Sequence, residues 1–121
     1  MEMGGMTERP VRRLCLTLDL KDDPALISEY KRYHEKVWPE ITKSLKDAGV
    51  VDMEIYLLGT RMFMIMEVDS EFSFAKKAKM DLANPKVREW EELMGKFQNP
   101  LPNASPVERW QMMAKVFELE K

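Results

Sequence analysis

The sequence predicts an α+β domain of the split βαβ kind, with one antiparallel sheet carrying helices on a single face. Three observations lead there. Strand-like runs at Val50–Leu58 and Arg61–Val68 are separated only by Gly59 and Thr60, the link of a two-residue hairpin. Asp23-Pro24 and Asn84-Pro85 are N-cap and first-turn pairs, and each opens a helical stretch. A further strand-like run precedes the first helix and another follows the last, so the order is β, α, β, β, α (doubled), β.

Each element has its own local reason. Residues 11–20 alternate partly and are rich in Leu, which fits a strand with one well-buried face. After Asp23, the positions Leu26, Ile27, Tyr30, Tyr33, His34, Val37, Trp38, Ile41 and Leu45 recur at helical spacing up to Ala48, and Gly49 closes the helix. Pro39 falls inside that stretch, lacks a backbone donor and clashes with the carbonyl of Glu35, so a bend or restart is expected there. In the hairpin, Met62, Met64 and Met66 share one face and Phe63, Ile65 and Glu67 the other; the methionine stripe reads as core rather than as a soft-metal site. Ser70 is expected to cap a helix reaching about Met80, and Pro85 to begin another through Val87, Trp90, Leu93, Met94 and Phe97. Residues 98–106, with three prolines and two asparagines, read as loop. The run 110–119 is expected to be the final strand because of Val116, Phe117 and Leu119.

With 121 residues the chain fits one domain, placed at residues 10–121 after a frayed leader at 1–9. Hydrophobic residues make up 45% and charged residues 33%, the balance of a globular protein. A net charge of −2 and the absence of any basic block leave no electrostatic footprint for nucleic acid, so none is expected as a partner. No apolar run reaches the roughly 18 residues that crossing a bilayer needs, so no membrane partner is expected and a cytoplasmic location is. Cys15 and His34 are each the single residue of their type, which excludes an intramolecular disulfide and a thiolate or imidazole metal cluster, so no metal site is expected. Flanked by Leu14 and Leu16, Cys15 reads as a buried strand residue rather than a nucleophile. The sheet face that carries no helix needs a cover, and a second copy of the chain is the simplest one. A homodimer is therefore expected, in the ferredoxin-like form of a dimeric α+β barrel, with Trp110 as an interface aromatic.

His34 is the one side chain with an ordinary pKa near neutrality, and it lies in the most aromatic segment of the chain. Tyr30, His34 and Trp38 are spaced i, i+4, i+8, so on a continuous helix they would share one face. A phenol, a proton carrier and a flat apolar ring together can hold a sugar, by hydrogen bonds to hydroxyls and stacking on C–H faces. Spacing alone leaves packing the more common role for such a histidine.

The pattern Tyr30-x-x-x-His34-x-x-x-Trp38-Pro39-Glu40, with Ile55-Tyr56-Leu57, Trp90 and Met94, Ser105-Pro106-Val107 and Val116-Phe117, resembles the L-rhamnose mutarotase family over residues 11 to 119. The resemblance implies a dimeric, ferredoxin-like enzyme without cofactors that interconverts the anomers of a free 6-deoxy sugar, a small monosaccharide partner. It implies His34 as the catalytic acid/base, Tyr30 as a sugar-contacting hydroxyl and Trp90 as a ring facing His34 across a sugar-sized cleft, with Trp38 and Tyr56 among the substrate contacts. Two positions depart from the family pattern: Met53 stands where a second tyrosine is typical, and Glu91 where a second consecutive tryptophan is. Both belong to the sugar-facing shell. A carboxylate in place of an indole suits a different hydroxyl stereochemistry, which favours L-fucose over L-rhamnose.

Two other readings suit the same size and fold. One is a cofactor-free monooxygenase of the dimeric ferredoxin-like barrel class; the other is a non-enzymatic barrel that binds a small ligand.

Overall fold

The computed structural model describes residues 11–102 and 109–120; the leader and residues 103–106 of the expected loop lie outside them. Strand β1 (Arg12–Leu20) leads into helices α1 (Pro24–Glu35) and α2 (Pro39–Ala48), then the hairpin β2 (Val50–Leu58) and β3 (Arg61–Val68). Helices α3 (Phe74–Leu82) and α4 (Pro85–Gly95) follow, and two short strands, β4 (Gln98–Asn99) and β5 (Gln111–Met112), end the order. The sheet runs β2-β3-β1-β4, with β5 also on β1, and every pairing is antiparallel. This is the ferredoxin-like order, with the last strand broken into two pieces along one edge of β1.

The pleat sorts side chains with period two. Leu16, Leu18 and Leu20 of β1 and Met62, Met64, Met66 and Val68 of β3 are buried, and register places Leu18 opposite Met62 and Leu16 opposite Met64. The methionine stripe is core, as expected. Leu18 and Val68 retain no exposure, and full burial of such a side chain contributes about 1.5–3 kcal/mol. Cys15 corrects the expectation: it is half-buried and points to the opposite face from Leu14 and Leu16, because neighbours along a strand alternate.

Proline and glycine set the helix limits. The chain does not run as one helix from 23 to 48. It breaks at Lys36, which leaves helical geometry (φ −147°, ψ 84°), and Trp38 is extended (φ −55°, ψ 136°) because the following Pro39 excludes the helical region. Pro39 then starts α2 at a position where its missing N–H costs nothing. Gly49 ends α2 at φ +106°, and a Cβ there would stand 2.6 Å from Asp69 Oδ1.

Three other expectations change. Ser73, not Ser70, caps α3: the backbone is extended at Ser73, and its hydroxyl accepts from the Lys76 N–H at 3.1 Å. Gln98, expected in a loop, is buried and pairs with Leu20. The C-terminal run forms a strand only at Gln111–Met112, and Met113 N donates to Cys15 O at 2.8 Å. Beyond it Val116, Phe117 and Leu119 are 94%, 74% and 71% exposed. Strand propensity is present, but a strand also needs an edge to pair with, and residues 114–120 have none within the described chain.

Candidate functional site

The site is built where α1 and α4 meet. Asp23 Oδ1 accepts from the N–H groups of Ala25 and Leu26 at 2.9 and 3.3 Å, and Pro24 occupies the first turn, so α1 starts in a fixed register. That register brings Tyr30 inward, 5% exposed, with His34 one turn later and half-buried. Their rings lie 4.3 Å apart. Asn84 Oδ1 caps α4 through Lys86 and Val87, and Val87, Trp90 and Met94 form its buried stripe.

Trp90 joins the two helices. Its ring meets His34 edge-on at 5.6 Å, Tyr33 at 6.4 Å and Trp38 at 5.0 Å. His34 and Trp90 are therefore in direct ring contact rather than on opposite walls of a cleft. Trp38 belongs to the same aromatic group but not to the Tyr30–His34 helix face, since the break before Pro39 carries it off α1; Lys86 Nζ lies 5.4 Å over its ring.

The protonation of His34 follows from its surroundings. Nδ1 lies 2.9 Å from the Tyr30 carbonyl oxygen, and a carbonyl only accepts, so Nδ1 carries the hydrogen and Nε2 keeps its lone pair. Burial lowers the imidazole pKa below its ordinary 6.5, and the bond to the Tyr30 carbonyl opposes that shift. At neutral pH His34 is a neutral base with its free nitrogen at Nε2.

Tyr30 is held the other way. Burial pushes its pKa up to about 12, the hydrogen bond with Gln98 works against this, and the charge of Glu91 adds to it. It stays a neutral phenol. The Glu91 carboxyl is raised by burial, lowered by Lys77 and Arg109 and raised by Asp81; 56% of its side chain stays accessible, so it stands at the rim of the site.

The two β2 positions separate from this group. Met53 faces the helices but packs in a second core cluster, opposite Met66. Tyr56, expected among the substrate contacts, lies apart from His34 within the chain. Ile55 and Leu57 turn toward the helices, so Tyr56 points to the other face of the sheet, 55% exposed, with its hydroxyl 3.3 Å from Glu54 Oε1. Trp110, expected at an interface, is partly buried and packs against both core clusters of its own chain.

Two contributors were not singled out in the sequence, Gln98 and Arg109. Arg109 Nη1 donates to Gln98 Oε1 at 3.2 Å and to the Glu91 carbonyl at 2.7 Å. Neither residue carries a local signature, since an amide after Phe97 and an arginine 11 positions later meet only through the fold. Among the described residues no three His, Cys, Asp or Glu side chains converge as a metal site, and no helix is long and apolar enough to cross a membrane.

The chain is 42% identical over 113 residues to an L-fucose mutarotase of Xanthomonas campestris, covering 92% of this chain and 90% of that one. It superposes on the crystal structure of an L-rhamnose mutarotase from Formosa agariphila with a TM-score of 0.65 at 25% identity, covering 90% of this chain and 99% of that one. A dimeric ferredoxin-like protein from an uncultured marine organism shares the fold alone, with a TM-score of 0.51 at 17% identity over 98% of this chain and 100% of that one. The profile of L-rhamnose mutarotases matches residues 13–119, almost the whole domain that carries the α1–α4 site, and the chain belongs to that family.

Proposed function

We propose that this chain interconverts the α and β anomers of a free 6-deoxy-L-hexose, with L-fucose preferred over L-rhamnose and His34 as the proton carrier. Its family makes it a carbohydrate isomerase, which displaces the monooxygenase and ligand-binding readings. The observation that carries the mechanism is the neutral imidazole of His34, with Nδ1 tied to the Tyr30 carbonyl and Nε2 free.

Ring opening moves one proton between two oxygens of the same carbon. Nε2 takes the proton of the anomeric hydroxyl, the C1–O1 bond becomes a carbonyl and the C1–O5 bond breaks. The imidazolium returns that proton to O5 as it leaves C1, while it still lies near the same nitrogen. Rotation about C1–C2 turns the carbonyl, and the reverse steps close the other anomer. Tyr30, a neutral phenol, donates a hydrogen bond to the sugar as negative charge develops on oxygen. The L-fucose preference draws support from the name of the 42%-identical relative and from Glu91, a carboxylate at the rim that accepts from a sugar hydroxyl.

The uncovered sheet face, where Tyr56 and Leu58 are 55% and 85% exposed, is assigned to a second copy of the chain; light scattering on the purified protein is expected to give twice the chain mass. NMR saturation transfer between anomeric protons, run on L-fucose and L-rhamnose in parallel, tests the activity. The expected result is enzyme-dependent exchange with the larger kcat/KM on L-fucose. No acceleration of either sugar rejects the function, and a larger kcat/KM on L-rhamnose rejects the preference.

The same measurement has a defined pH dependence. The active form has His34 neutral, so enzyme-dependent exchange falls as pH drops through a pKa lying below 6.5. Above that it is flat through pH ~9, because Tyr30 does not ionise until about 12. A midpoint above 6.5 would contradict the burial of the imidazole.

A further inference from the structure

We propose that residues 114–120 leave their own chain and add a strand to the outer edge of β2 in a second copy, so that two chains exchange C-terminal arms. The inference rests on the second copy assigned above to the uncovered sheet face, and on nothing in the sugar chemistry.

Each chain holds a strand-forming segment without an edge and an edge without a strand. β5 anchors the root of the segment: Thr17 pairs with Gln111, Leu16 with Met112, and Met113 N donates to Cys15 O at 2.8 Å. There the ladder ends. Residues 114–120 enter no further pairing within the described chain, and Val116, Phe117 and Leu119 stand 94%, 74% and 71% exposed. Three large apolar side chains on one exposed segment mark a surface that another surface covers.

β2 is the complement. Among the described residues it pairs only with β3, so its other edge has no strand beside it. Natural edges are blunted by charges, prolines, bulges or a covering segment. The start of β2 has a register shift between Val50 and Asp52, and Asp52 and Glu54 are charged, but Ile55 to Leu58 carries no charge, proline or bulge. Tyr56 and Leu58 of that half are 55% and 85% exposed. The arm supplies the missing cover, and its length suits the edge: as a strand, residues 114–120 reach ~23 Å, against ~30 Å for β2.

Topology decides that this edge belongs to another chain. In the order β2-β3-β1, with β5 on β1, the root of the arm lies three strand spacings, ~14 Å, from its own β2. An arm that crossed the sheet would have ~9 Å left, too little for a ladder of more than about three residues. Under a two-fold axis the exchange is reciprocal: each chain gives an arm and receives one, both β2 edges are covered, and the assembly closes at two chains.

The test uses the full-length protein as an equal mixture of ¹³C,¹⁵N-labelled and unlabelled chains. In isotope-filtered NMR, NOEs are expected from Val116 and Phe117 of one chain to Tyr56 or Leu58 of the other. The amides of residues 114–120 are expected to exchange with solvent at least ~100-fold more slowly than in an unstructured peptide. Deleting residues 114–121 is expected to weaken the dimer at least ~10-fold in sedimentation equilibrium, with the circular dichroism of the rest of the fold retained. Arm amides that exchange freely, NOEs confined to one chain, interchain NOEs to Arg12–Leu14 of β1 instead of β2, or an unchanged dimer in a folded deletion variant each overturn the proposal. A monomer in light scattering removes the second copy and the exchange together; a dimer without arm-to-β2 NOEs removes the exchange alone. Interchain NOEs in a protein that accelerates neither sugar reject the mutarotase reading and leave the exchanged arms standing.

Discussion

Replacing His34 by alanine is expected to slow enzyme-dependent anomer exchange by about 10²–10⁴, the range of one positioned acid/base, or about 2.7–5.4 kcal/mol of barrier. No other imidazole exists in the chain to substitute for it. The nearest titratable side chain is Tyr30, which is protonated up to about pH 12 and so supplies no base at neutrality. The loss should fall on kcat more than on KM, because Nε2 engages the moving proton while the sugar hydroxyls are held by other groups. His34 is half-buried, and its truncation leaves Tyr30 and Trp90 in the core, so the variant should remain folded. Saturation transfer together with a thermal melt reads both quantities. Exchange within about twofold of wild type in a folded His34→Ala would remove the imidazole from the mechanism.

The second large effect is on stability. Trp90→Ala is expected to cost about 3–5 kcal/mol, because the indole is 7% exposed and belongs to the main core cluster. Its contacts with Tyr33, His34 and Trp38 are all edge-on, the favoured arrangement of aromatic pairs. Against a typical total of about 5–15 kcal/mol this is a large share, and the melting temperature should fall by on the order of 10 °C or more. Urea unfolding should show a lower midpoint with an unchanged slope. Trp90→Phe keeps a ring and should recover most of the loss. A Trp90→Ala variant within about 0.5 kcal/mol of wild type would mean that the ring contributes no more than a surface side chain does.

The two variants report on one arrangement from opposite sides. In the proposed mechanism His34 acts as a base kept neutral by burial that lowers its pKa, and Trp90 is part of the surroundings that bury it. Weakening the wall should therefore also move the acid limb of the pH profile upward toward 6.5, as water reaches the imidazole.

Much of this fold was legible in the chain itself. The hairpin runs Val50–Leu58 and Arg61–Val68 appear with the bounds expected of them, because alternation and Gly59 are local signals that need no partner to be understood. The helix starts at Pro24 and Pro85 are of the same kind, each set by a capping carboxylate or amide and a fixed proline φ. The methionine stripe followed from the pleat. What failed were the elements whose fate depends on a distant partner. Residues 114–120 have strand-forming side chains but no edge beside them in the described chain, so propensity alone misjudged them. Trp38 has the right spacing for the His34 face, but the chain leaves α1 before reaching it.

The site divides in the same way. The sequence by itself singled out the candidate proton carrier, since His34 is the one histidine of the chain, and the family pattern carried by Tyr30, His34, Trp38 and Trp90. Only the tertiary structure decided how these groups are arranged: Nδ1 of His34 tied to a carbonyl, Trp90 in contact rather than across a cleft, Tyr56 on the far side of the sheet, and Arg109 bonded to Gln98. The physical reason is that residue type and period are properties of a short stretch, whereas a tautomer and a depressed pKa are set by atoms that folding brings in from elsewhere in the chain.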